Sequence, residues 1–181
     1  MLRSSIEGQF GRFLRTAIIL ATGAAFATPA WANPPSSQIV VSVSHIKALD
    51  KFDELSPGDI FIKATIAGKT QYTSTIKQKA GVGVVLNPNW LMTENVEPGI
   101  YPVRIELIDK DLTKDDGIDI NRLPNRRMLE FTVDTRRCHI DGFATRYNCG
   151  SAISRAGKEP KSAEISFTVD VKPLKKEISS R

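Results

Sequence analysis

Val103, Ile105 and Leu107 alternate with Arg104 and Glu106, and the chain then runs into Asp109-Lys-Asp111-Leu-Thr-Lys-Asp115-Asp116-Gly117-Ile-Asp119-Ile-Asn121. The alternation has the two-residue period of a half-buried strand, apolar on one face and wet on the other. The acidic run after it is harder to accommodate, because five aspartates fall within the eleven residues Asp109–Asp119. Carboxylates a few ångströms apart repel and push one another's pKa up. A chain tolerates such a segment most easily if a hard cation sits among the carboxylates. Calcium meets that need with roughly six to eight oxygen ligands in flexible geometry. A solvated acidic loop is the plainer alternative.

The rest of the chain repeats the strand-and-turn rhythm. Gln38–Leu49, Ile60–Ile66, Thr70–Lys77, Met128–Val133 and Ile165–Val171 read as strands from their β-branched content and partial or full alternation. Pro57-Gly58, Gly68, Pro98-Gly99 and Lys158-Glu-Pro160-Lys161 read as turns. Gly81 and Gly83 lack the Lys-Ser/Thr ending of a phosphate loop and read as turn or bulge glycines, with Trp90 beside them as core bulk or a lid over the core. His45 reads as an ordinary strand residue. No helical period follows the N-terminal region, and there is no internal repeat. About eight short strands parted by turn residues predict an all-β fold, an antiparallel Greek-key sandwich. The acidic segments 50–59 and 109–121 each leave a strand, so both are expected at one end of it.

The N-terminus is expected to lie outside that domain. Arg3, Arg12 and Arg15 precede the apolar run Ala17–Ala27, and Ala30-Trp31-Ala32 offers a small-residue cleavage site. The run is shorter than the ~20 residues that span a bilayer. Residues 1–32 therefore read as a signal peptide, 33–37 as a linker, 38–172 as the sandwich and 173–181 as a flexible basic tail. The expected destination is the periplasm or the outside of the cell. Residues 1–32 carry three Arg and one Glu, so the formal charge falls from +5 to +3 without them. Ten of the 20 acids sit in Asp50–Asp59 and Glu106–Asp119, whereas after Asn121 there are 13 Lys/Arg against seven acids. That segregation predicts an acidic and a basic face, and export argues against a nucleic-acid partner.

Cys138 and Cys149 are the two cysteines. In an oxidising compartment they are expected to bond to each other, contributing about 2–3 kcal/mol. A metal site on Cys138, His139 and Cys149 lacks a nearby fourth ligand. The acidic loop is not an EF-hand. Counted from Asp109, Thr113 and Lys114 fall at the fifth and sixth positions, and Ile120 stands at the twelfth, where a bidentate Glu belongs.

Two loops taken together make a closer match. Asp53 and Asp59 are six apart and run into Ile60-Phe61-Ile62-Lys63, while the later loop opens Asp109-x-Asp111 and continues to Asp115-Asp116. In this the chain resembles the C2 domains, calcium-binding Greek-key sandwiches, over roughly Gln38–Val171. The resemblance implies calcium ligation by Asp53, Asp59, Asp109 and Asp111, with Asp115 or Asp116 as the fifth ligand. Asp119 and Asn121 lie outside the common pattern and either extend the site or cap the loop.

No Gly-x-Ser-x-Gly, His-Glu-x-x-His or spare Cys nucleophile is present, so a non-enzymatic role is expected. The leading expectation is an exported calcium-binding module. It would dock to a membrane surface, glycan or envelope protein through its acidic end, with Leu55 and Leu112 at the loop tips. An accessory protein with solvated, metal-free acidic loops is the alternative, and a carboxylate-based hydrolase ranks third.

Overall fold

The structure, a computed structural model, describes residues 36–51, 59–77, 81–110 and 115–174. The chain divides after Ala32 into two units, and all described residues belong to the second. Asp53, Leu55, Asp111, Leu112, the signal-peptide segment and residues 175–181 of the expected tail lie outside the described residues, whereas Pro173 ends the last strand and Leu174 N donates to Ser36 O at 2.9 Å.

The strands begin with β1 (Ser37–Ala48), β2 (Asp59–Ile66), β3 (Lys69–Tyr72), β4 (Ile76–Lys77), β5 (Val85–Leu86), β6 (Trp90–Val96) and β7 (Ile100–Asp109). They continue with β8 (Asp116–Ile118), β9 (Leu129–Asp134), β10 (His139–Asp141), β11 (Tyr147–Asn148), β12 (Ile153–Ala156) and β13 (Ala163–Pro173). One sheet runs β12-β13-β1, with β5 and β6 both pairing β1. The other runs β11-β10-β9-β7-β2-β3, with β4 on β2 and β8 on β7. All pairings between named strands are antiparallel. The expected all-β sandwich is the observed one. It has thirteen strands among the described residues, not about eight.

The surplus comes from β6, a seven-residue strand that the sequence reading does not single out, and from fragments of two to four residues. The expected strand Thr70–Lys77 is broken into β3 and β4, because Thr73 leaves the ladder to bond across to β2: Thr73 Oγ1 accepts from Ile62 N at 2.9 Å. Gly81 and Gly83 have positive φ and turn the chain into β5, as turn glycines should. The insert Arg136–Gly150 forms the β10–β11 hairpin, closed by a Cys138–Cys149 disulfide with Cα atoms 5.2 Å apart. The expected bond is present.

Sequence alternation explains the core. Ile60, Ile62, Ala64 and Ile66 of β2, Val103, Ile105 and Leu107 of β7, and Ile165, Phe167 and Val169 of β13 all point inward and are buried. In β1 the residues of the core cluster are Ile39, Val41, Val43 and then Ile46 and Ala48, a change of phase. A bulge between Val43 and His45 absorbs one residue and restores the inward phase. His45 is thereby left on the rim, where Nδ1 lies 3.1 Å from Asn87 Oδ1. Trp90 is buried and donates from Nε1 to Ser74 Oγ at 3.3 Å.

Candidate functional site: the acidic end of the sandwich

Inward alternation on β7 does not stop at Leu107. Asp109 takes the next inward position and is 1% exposed, at the end of the core. Its ladder neighbours are Ile60 on β2 and Asp116 on β8. Lys110 N donates to Asp59 O at 2.8 Å, so the two acidic segments leave adjacent strand ends. Asp59 is half-buried there and Asp115 is exposed. The strand ends that carry Asp59, Asp109 and Asp116 are thus backbone neighbours at one end of the sandwich.

A third segment joins them, and its sequence reads only as a turn. Residues 157–162 link β12 to β13 across this end. Leu49 N and Asp50 N donate to Ser162 O at 2.9 and 3.2 Å, and Lys161 N donates to Asp50 Oδ2 at 3.1 Å. Asp119 N donates to Lys161 O and Ala163 N to Asp119 O, both at 2.8 Å. With its backbone held on both acidic segments, Lys161 sends Nζ to Asp116 Oδ2. Like charges directly opposite one another destabilise a ladder pair. The Lys161 ammonium offsets that repulsion between Asp109 and Asp116. The sequence signal available was slight: a lysine in a turn, 45 residues from its partner.

Asp119 has a different task from the other aspartates. It is 1% exposed, and its Oδ1 accepts from Asn121 N at 2.9 Å while Oδ2 accepts from Lys158 N at 2.7 Å and Glu159 N at 2.8 Å. Three backbone N–H groups aimed at one carboxylate stabilise it as an anion and satisfy donors that burial would otherwise strand. The carboxylate is a loop cap, so Asp119 moves from the ligand set to the other role its sequence position allowed. Asn121 caps as well, accepting from Leu123 N at 3.0 Å and donating to Met128 O.

Among the described residues no three His, Cys, Asp or Glu side chains are grouped to hold a metal ion. The donor set nonetheless suits calcium in kind: carboxylates on two loops whose strand ends are hydrogen-bonded together. The remaining ligands of the expected set, Asp53 and Asp111, belong to the segments outside the described residues. Asp116 is paired with Lys161, whereas Asp115 is exposed.

No protein-family model matches the chain, and no curated relative matches it. Solved structures do. The first C2 domain of plant extended synaptotagmin 1 superposes with a TM-score of 0.53 at 12% identity, over 78% of this chain and 98% of that one. The tandem C2 domains of extended synaptotagmin 2 give 0.52 at 13% identity, over 87% of this chain and 48% of that one. Human GIVD cytosolic phospholipase A2 gives 0.50 at 14% identity, over 78% of this chain. The match spans only 18% of the phospholipase chain. At such identities the likeness establishes the fold, which is C2-like.

Proposed function

We propose that this C2-like chain is an exported, non-enzymatic docking module whose acidic end takes up calcium to engage an anionic membrane surface. The carrying observation is the Lys110 N to Asp59 O bond of 2.8 Å, which joins the two strand ends that bear Asp59 and Asp109. Asp53, Asp59, Asp109, Asp111 and Asp115 are the residues that would hold the ion. Bound there, calcium neutralises the carboxylates and presents positive charge to an anionic partner. The chain's own part is to keep the two loops together and to limit repulsion through Lys161 when the ion is absent.

A metal-free accessory role is the second reading. It is favoured by Lys161, which already supplies a cation to Asp116, and by Asp119, whose oxygens are taken by amides. Vesicle sedimentation separates the two. Vesicles of phosphatidylcholine with phosphatidylglycerol should pull down the protein in millimolar calcium and leave it in solution in chelator. The Asp109→Asn/Asp111→Asn variant should stay in solution in both. Equal sedimentation of wild type with and without calcium would reject calcium-dependent docking.

A further inference from the structure

Between Asn121 and Ala156 the chain carries seven arginines, no lysine and three carboxylates. The fold engages each of those carboxylates. Glu130 accepts from Arg104 Nε at 2.9 Å, Asp141 pairs with Arg146, and Asp134 Oδ1 accepts from the backbone N of Arg136 and Arg137 at 2.9 and 3.1 Å. Arg122, Arg126 and Arg155 line one groove of about 640 Å³. Among the described residues none of the three has an ion-pair partner. Two carboxylates also line the groove: Glu130, engaged by Arg104, and Glu164, whose Oε1 accepts from Ser154 Oγ at 2.8 Å.

Arg155 is held in place without a counter-ion. Its guanidinium carbon lies 4.3 Å above the Phe143 ring centre and 5.4 Å from that of Tyr147. Nη1 donates to Ser154 O at 2.7 Å and Nη2 to Tyr147 Oη at 3.1 Å. Stacking and neutral acceptors fix a planar fork while leaving its charge uncompensated, which prepares it for a bidentate anion.

We propose that this groove, which begins at Asn121 where the acidic segment ends, binds a phosphomonoester. A phosphomonoester carries nearly two negative charges on three acceptor oxygens and so matches several guanidiniums in one groove better than a carboxylate does. The groove lies within the ~300–1,000 Å³ range of small-ligand sites, leaving room for the group that bears the phosphate. That group is either a soluble phosphorylated molecule or a lipid headgroup. Leu123, 55% exposed on the rim between Arg122 and Arg126, is placed to touch acyl chains in the second case.

The test is made in chelator, so that the proposed calcium site plays no part in it. Glycerol 3-phosphate is titrated into the purified protein by calorimetry, and phosphatidylcholine vesicles with and without phosphatidic acid are sedimented with it. Saturable binding is expected in at least one arm. Response to glycerol 3-phosphate identifies a soluble ligand, and response to phosphatidic acid alone identifies a headgroup. Arg122→Gln/Arg126→Gln, which alters exposed side chains, should weaken binding about tenfold or more with the melting temperature unchanged. Arg155→Lys keeps the charge but loses the fork, and should weaken it by a similar factor. No saturable binding in either arm, or binding that these variants leave intact, overturns the proposal.

Discussion

Asp119→Ala should lower the melting temperature by about 10–15 °C, in calcium and in chelator alike. The side chain is 1% exposed and accepts from three backbone N–H groups, those of Asn121, Lys158 and Glu159. Hydrogen bonds to a charged acceptor contribute about 1.5–3 kcal/mol each, and removal leaves the donors without their acceptor. Part of that loss is returned because no carboxylate then has to be buried, so a net cost of about 3–5 kcal/mol is expected. Asp119→Asn keeps one carbonyl acceptor and should fall between wild type and Ala. A calcium ligand would behave differently: its loss would matter in calcium and little in chelator. A melt in chelator lowered by less than about 3 °C would return Asp119 to the ligand set.

Gly157→Ala should be comparably damaging, through contact and not through lost bonds. A Cβ at Gly157 would lie 2.1 Å from the backbone oxygen of Asp119 and 2.6 Å from its carboxyl carbon. Neither is the far end of a flexible side chain, so segment 157–162 must move away from Asp119. Gly157 N donates to Ala163 O at 3.0 Å and Ala163 N to Asp119 O at 2.8 Å, and both contacts oppose that movement. Overpacking typically costs about 1–3 kcal/mol, and a backbone clash this close belongs at or above the upper end. Because both variants break the same tether, Gly157→Ala combined with Asp119→Ala should cost less than the sum of the two. Additive melting shifts would show that Gly157 and Asp119 act apart.

How much of the fold is legible in the sequence depends on where each signal resides. The strands β2, β7 and β13 carry their inward set at every second residue, so alternation alone finds them and orients them. The disulfide was legible because the chain offers one pair of cysteines. In β1 the bulge near Ser44 reverses the phase, and the sequence accordingly shows only partial alternation. Strands such as β4, β5 and β11 have two residues each, too few to express any period. They exist because a longer neighbour presents an unpaired edge.

The same division applies to the sites. Asp59 and Asp109 were legible because strand alternation runs directly into them. Asp119 was not separable from its neighbours, since its amide donors at Lys158 and Glu159 are 39 and 40 residues away. Lys161 and the arginine groove become visible only when distant segments are brought together. A charge count records the basic surplus after Asn121, but not which arginines lack a carboxylate.

Thermal melting of the purified protein in millimolar calcium, in magnesium and in chelator tests the account most directly. An ion that binds only the folded state adds RT ln(1 + [L]/Kd), about 2.7 kcal/mol at a hundred times Kd. For a domain of this size that corresponds to a rise of roughly 5–10 °C. Magnesium, which demands a tight octahedron and gives up water reluctantly, should do less. Asp109→Asn/Asp111→Asn should gain little from calcium. If wild type and that variant melt alike with and without calcium, the acidic end is a metal-free surface neutralised in part by Lys161, and calcium-dependent docking is wrong.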